Sequence, residues 1–192
     1  MTEHEKCMAG LMYDTAYLGR EEANLACLDI CHEFNHMKPS QLEERTALIR
    51  TVFHKIGKNL RIEPNIYISF NYNIEGGDNL FINHNCVFLN PGKITFGNNV
   101  YIGPQCGFHT AHHNIHPKLR NQGYEYAWPI TVGDNVWFGA GVQVLPGVTI
   151  GNNVVIGAGS VVVHDIPDNV VAVGNPCKPV RSITEEDYIQ QR

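Results

Sequence analysis

No stretch of this chain approaches the roughly 18 consecutive apolar residues that a membrane-crossing helix needs. Its opening residues, MTEHEKCMAG, lack the charged-then-apolar order of a secretory leader. These two absences predict a cytoplasmic protein with no membrane partner. Positive charge is scarce as well. Fourteen Lys and Arg face 19 Asp and Glu, a net charge of −5, so no nucleic acid is expected as a partner of the whole surface. Metal-type cysteine spacing is missing: the six cysteines, at 7, 27, 31, 86, 106 and 177, include no Cys-x-x-Cys pair. Cys27 and Cys31 stand four apart, on one face if helical, and all six read as reduced packing thiols. There is no Gly-x-Ser-x-Gly elbow either, so no enzyme nucleophile of that kind is marked.

What is present changes character near residue 60. Residues 1–57 are rich in Glu, Leu, Ala and His. They carry two start signals of the capping-box type, Thr2 with Glu5 and Ser40 with Glu43, in which a hydroxyl satisfies a free amide while the Glu reaches back. Helices are expected at about 3–10, 21–36 and 40–55, the last with Leu42, Leu48, Ile49, Val52, Phe53 and Ile56 at helical intervals. This segment reads as a helical cap.

From Leu60 onward the period is six. Residues 130–165 divide without a gap into ITVGDN, VWFGAG, VQVLPG, VTIGNN, VVIGAG and SVVVHD. The third position holds Val132, Phe138, Val144, Ile150, Ile156 and Val162, with Gly next at 133, 139, 151 and 157. Phe96, Ile102 and Phe108 keep the same frame, as do Ile62, Ile68, Ile82 and Phe88, with two-residue insertions around 70–75 and 90–93. Three such hexads make one coil of a prism, with one aliphatic side chain per hexad pointing to the axis. Gly or Asn at the corners takes backbone conformations closed to bulkier residues, and each coil buries its axis residues only against a neighbour. Gly76 falls where an aliphatic residue is due, so either a bulky neighbour fills the gap or the coil is distorted there. The predicted organisation is a cap over 1–57, a β-helix over 58–181 and a tail over 182–192.

The frame breaks once, between Phe108 and Ile130. The insert carries His109, His112, His113 and His116 with Lys118, Arg120 and Glu125. A regular stack gains nothing from extruding a loop over 109–129, and long loops on rigid scaffolds usually bind or catalyse. Clustered histidine suits proton transfer or metal ligation.

The order of helical cap, repeats, His-bearing loop and then PITVGDNVWFGAG, VLPGVTIG, VIGAGSVV and DIPDNVVAVGNP resembles the maltose/galactoside/nodulation-type O-acetyltransferases over nearly the whole chain. The resemblance implies a mainly β fold, a left-handed parallel β-helix of hexapeptide repeats assembled as a homotrimer with sites between subunits. It implies transfer of an acetyl group from acetyl-CoA to a hydroxyl of a sugar-like acceptor, with no metal required. Thr110–Ala111–His112–His113–Asn114 matches the family's base motif and puts the base at His113. His112 and Asn114 depart from that motif, which leaves His112 as a rival. A sugar hydroxyl attacks a thioester well only as its proton is removed, and a near-neutral imidazole suits that transfer. Glu125 is the candidate to orient His113.

The same resemblance gives acceptor contacts at Asn83, Ser69 and Asp14 or Thr15, although His84 and Asn90–Pro91 depart from it. It gives donor contacts at Trp137, Gly139, Ala140 and Ala158 for the pantetheine arm, and at Lys178 and Arg181 for the phosphates. Val163–His164 stand where Thr-Lys is common. Three other readings stay open: an antibiotic-type acceptor on the same fold, a zinc hydratase of the γ-carbonic-anhydrase type, and a scaffold without catalysis.

Overall fold

The computed structural model describes residues 1–71 and 73–188. Three helices open the chain: α1 (Glu3–Met8), α2 (Arg20–His36) and α3 (Leu42–Arg50), with a short strand β1 (Tyr13–Asp14) between the first two. Thr2 and Glu5 form the expected capping box, at 3.1 and 2.7 Å. The second box is not formed. α3 starts at Leu42 with Gln41 as its N-cap and no side-chain cap, because the Gln41 carboxamide turns back to accept from the Lys38 amide at 3.1 Å. That helix also stops at Arg50, five residues short of the expected end, since Lys55 and Ile56 are already paired in the first coil.

The coils follow in order. β2 (Lys55–Ile56), β3 (Arg61–Ile62) and β4 (Tyr67–Ile68) make the first. β5 (Ile74–Gly76), β6 (Leu80–Ile82) and β7 (Val87–Leu89) make the second, and β8 (Ile94–Phe96), β9 (Val100–Ile102) and β10 (Gly107–His109) the third. Then come β11 (Ala111–His113), α4 (Pro117–Arg120) and β12 (Tyr124–Ala127), which leave the stack. β13 (Ile130–Val132), β14 (Val136–Phe138) and β15 (Gln143–Val144) resume it, and β16 (Thr149–Ile150), β17 (Val154–Ile156) and β18 (Val161–Val162) add the next turn. β19 (Val170–Gly174) begins a last coil, and β20 (Cys177–Ser182) folds back on it antiparallel. Corresponding strands stack on three faces, all in parallel except the antiparallel β20, with orders β16-β13-β8-β5-β2, β20-β19-β17-β14-β9-β6-β3 and β18-β15-β10-β7-β4. The result is a left-handed β-helix.

The third-position residues all lie in the core. Phe88 and Phe108 stack with centroids 5.2 Å apart, and Phe96 and Phe138 meet Phe108 edge-on, also at 5.2 Å. Gly76 is resolved by its neighbours. A Cβ there would stand 2.6 Å from Ile56 Cδ1 and 3.0 Å from Leu80 Cδ2, so these two side chains fill the axis and β5 stays paired on both sides.

One corner is built from asparagine. Asn59, Asn79, Asn99, Asn135, Asn153 and Asn169 all have positive φ, 54–61°, which Asn tolerates better than most residues. Each of the first five donates its side-chain amide to the next, at 2.7–3.0 Å. At the other end of the first coil, side chains of the cap take the place of a preceding coil. Asn35 accepts from the Ile66 amide at 3.0 Å and donates to the Ile66 carbonyl at 2.9 Å. Asn24 donates to the Ser69 carbonyl, and Arg50 to those of Ile56 and Gly57. Of the predicted tail, residues 189–192 lie outside the described residues. Ser182 belongs to β20 and Glu185–Tyr188 form a 3₁₀ turn.

Candidate active site

The insert is an antiparallel hairpin rather than an irregular loop. β11 and β12 pair with His112 opposite Tyr126 and His113 opposite Glu125, and β1 of the cap adds on the far side with Tyr13 opposite Glu125. His109 remains in the third coil, where its Nε2 lies 2.9 Å from Gln143 Oε1. Successive side chains of a strand point to opposite faces, and directly opposed residues share one. His113, Glu125 and Tyr13 therefore project on one face of this small sheet, and His112 and Tyr126 on the other.

The two adjacent histidines differ accordingly. His113 is 64% exposed, and its Nδ1 lies 3.4 Å from Glu125 Oε1. Among the described residues its ring makes no other polar contact. The His112 ring stacks on Tyr126 at 5.1 Å and 11°, with Trp128 at 4.1 Å. Its Nε2 is sealed from solvent without a partner among the described residues. The Trp128 indole in turn donates to the Gly10 carbonyl at 3.2 Å. His116 caps α4, its Nδ1 accepting from the Lys118 amide at 3.3 Å. The four histidines thus have four separate local roles, and among the described residues no three His, Cys, Asp or Glu side chains converge as a metal site would require.

Glu125 is mostly buried, 14% exposed. Its Oε2 accepts from the Tyr13 hydroxyl at 3.0 Å and lies 3.7 Å from Arg20 Nη2. Tyr13 is fully buried, and burial pushes its hydroxyl pKa well above the ordinary tyrosine range, so it stays a donor. The Cys7 thiol beneath it is likewise pushed up by burial. Neither Tyr13 nor Arg20 was marked by repeat or motif. The only trace of Tyr13 in the sequence is its place beside Asp14 in LMYDTA. Asp14 pairs with Tyr124, its carboxylate accepting from the Ala16 amide, and Thr15 N–H donates to the Gly123 carbonyl. These two residues do reach the hairpin.

A groove of about 660 Å³ runs along the face of β6, β9 and β14, lined by Phe81, Asn83, Tyr101, Trp137, Gly139 and Ala140 among others. Trp137 is 56% exposed. Phe81 and Tyr101 stack below it in the ladder. They were missed, although reading the second position of each hexad as an outward column would have found them. The wall behind is tight: a Cβ on Gly139 would stand 2.6 Å from the Ala158 amide nitrogen. Ala158 is exposed one coil further on.

Other predicted residues sit elsewhere. Ser69 is 2% exposed with its hydroxyl sealed and unpartnered among the described residues, so it is not presented at an open surface. Asn90 is fully buried, holding the amides of Ser69 and Phe70 at 3.0 Å each, and so is spent on the inserted corner. Val163 and His164 follow β18, and Lys178 is exposed on β20. Arg181 is taken up by a two-pronged pair with Asp187, both at 2.8 Å, which holds the Asp187 carboxyl down at about 2.

Comparison with known proteins fixes the family. The bacterial transferase hexapeptide (six repeats) family matches residues 129–164, and the maltose acetyltransferase hexapeptide capping motif matches 6–57. The galactoside O-acetyltransferase of Escherichia coli K12 is 42% identical over 95% of this chain and 90% of its own length. This chain belongs to the maltose/galactoside-type hexapeptide-repeat acetyltransferases. A crystal structure of a maltose O-acetyltransferase from Clostridium difficile 630 superposes with a TM-score of 0.94 at 44% identity, covering 96% of this chain and 99% of that one. A galactoside acetyltransferase in complex with coenzyme A also gives 0.94, at 41% identity, over 98% and 94%. The member described here is therefore an acyltransferase. No helix of its described residues is long and apolar enough to cross a membrane.

Proposed function

We propose that this acetyltransferase moves the acetyl group of acetyl-CoA to a hydroxyl of a sugar-like acceptor, with His113 as general base and Glu125 orienting it. The observation that carries the reading is the split between neighbouring histidines. His113 is open and held at one nitrogen by a carboxylate 3.4 Å away, whereas His112 is clamped in an aromatic stack. With Nδ1 facing Glu125, the other ring nitrogen is left to take the hydroxyl proton as oxygen attacks the thioester carbonyl. The C–S bond then breaks, and the imidazolium returns the proton to the leaving sulfur. A general base contributes typically 10²–10⁴-fold. An amide near Ala140 is suited to hold the oxyanion.

The groove fits the donor. Its outer wall is aromatic, at Trp137 and Tyr101, and its floor is small, at Gly139 and Ala140, so an extended pantetheine arm can approach the backbone. The family relative crystallised with coenzyme A supports the same donor. Asn83 lines this groove, and its amide can both donate to and accept from a sugar hydroxyl. Asp14 and Thr15 approach the acceptor from the cap. Lys178, in no ion pair among the described residues, can meet a phosphate, whereas Arg181 would have to leave Asp187. The hairpin histidines do not line the groove of their own chain, which favours a homotrimer whose sites combine the hairpin of one subunit with the groove of its neighbour.

The test is thiol release from acetyl-CoA with maltose, galactosides, amino sugars and chloramphenicol, run before and after chelation. Turnover on the sugars that survives chelation is expected. A preference for chloramphenicol would move the acceptor to the antibiotic class, and zinc-dependent activity would replace the mechanism. Light scattering giving a 21.5 kDa monomer would remove the shared site.

A further inference from the structure

We infer that Tyr13, from the helical cap, is a positioning residue for the reaction: its hydroxyl fixes one oxygen of Glu125 so that the other faces His113. The inference deepens the general-base reading and rests on it.

The geometry is a relay across three strands. Tyr13 and His113 flank Glu125 in register, one on each neighbouring strand. The Tyr13 hydroxyl donates to Oε2 at 3.0 Å, and His113 Nδ1 stands 3.4 Å from Oε1. A carboxylate alone between two strands would turn about its last bond. A competing pull comes from Arg20 of α2, whose Nη2 lies 3.7 Å from the same Oε2 and whose Nε is buried without a partner among the described residues. Without the hydroxyl, the carboxylate is drawn toward that cation and away from the imidazole. Tyr13 is fully buried, so its ring cannot swing out and release Oε2. The titratable groups around the relay are Cys7 from α1, Tyr13 and Asp14 from β1, Tyr17 edge-on against Tyr13, Arg20 from α2, His113 from β11, and Tyr124 and Glu125 from β12. Only Glu125 among them lies in ion-pair contact with His113.

Tyr13→Phe, which loosens the carboxylate, should move the His113 ring signal part of the way toward its position in Glu125→Gln. The measurement is the NMR spectrum of the full-length protein at one fixed pH, following the His113 Cε1–H signal identified by its loss in His113→Gln. It requires no acceptor. In turnover with the fastest sugar of the panel, Tyr13→Phe should lower kcat about tenfold and leave the KM for acetyl-CoA within twofold. Tyr13→Phe combined with Glu125→Gln should behave as Glu125→Gln alone, because the two act through one carboxylate.

An unchanged ring signal with wild-type kcat, or losses that multiply in the double variant, would overturn the proposal while leaving the base reading intact. If Glu125→Gln itself moves neither rate nor signal, both fall together. Should Tyr13→Phe fail to assemble, 3-fluorotyrosine at position 13 keeps the shape and strengthens the donor. It should displace the His113 ring signal slightly, and no movement there overturns the proposal equally.

Discussion

The coil stack and the hairpin that leaves it obey different rules, although the chain passes from one to the other within a single residue, Thr110. In the stack, what a residue does follows from its position in a six-residue frame. The third position points inward whether it is Val132, Phe138 or Ile150, and the corner takes Asn because its backbone must be left-handed. In the hairpin, what a residue does follows from strand register, with a period of two. A shift of one residue would exchange the faces of His112 and His113. Redundancy protects the first region; the second has none.

That contrast predicts opposite sensitivities. The largest effect should be on rate: His113→Ala should lower kcat by roughly 10²–10⁴-fold, with acetyl-CoA binding by calorimetry little changed because the groove lies elsewhere. Next comes stability. Phe108→Ala removes the ring at the centre of the four-phenylalanine cluster and should cost about 3–5 kcal/mol in denaturant unfolding. Ile115→Ala at the hairpin tip, 92% exposed, should stay within about 0.5 kcal/mol. A third, smaller effect tests the corner. Asn99→Ala places Ala at φ +56° and removes two rungs of the ladder, so a loss of about 2 kcal/mol is expected. Asn99→Gly, which keeps the backbone at ease, should lose about half of that. The smaller effect on rate should be His112→Ala, tenfold or less in kcat. If His112→Ala proves more damaging than His113→Ala while acetyl-CoA still binds, the register of the hairpin in solution is not the one described.

How much was legible follows the same division. Period six gave the coils, their inward residues and the place where they are interrupted, because repetition averages over local accidents. The cap was read less well. Ser40 and Glu43 satisfy the capping pattern, yet Gln41 competes for the same turn, and α3 ends early because Ile56 is needed above Gly76. At the site, the family motif pointed to His113 and Glu125, whose Nδ1 and Oε1 lie 3.4 Å apart. What it could not show was that Tyr13 and Arg20 meet Glu125, since a contact across 112 residues leaves no periodic trace. Nor could it show that Ser69 is sealed or that Arg181 is engaged by Asp187, because both depend on how side chains are shared locally.

The polar side chains of the cap that meet the first coil have a consequence for the molecule in a crowded solution. A parallel stack is in principle endless: its terminal coil offers the same row of free amides and carbonyls to which the next coil would bind, and such an edge can recruit another molecule. Here Asn35 answers the Ile66 amide and carbonyl, Asn24 the Ser69 carbonyl and Arg50 those of Ile56 and Gly57, while β20 lies along β19 at the far end. Structure that does not repeat thus occupies two of the three faces at the first coil and the β19 face at the far end, which opposes the end-to-end growth that a fold built like a fibril segment would otherwise invite.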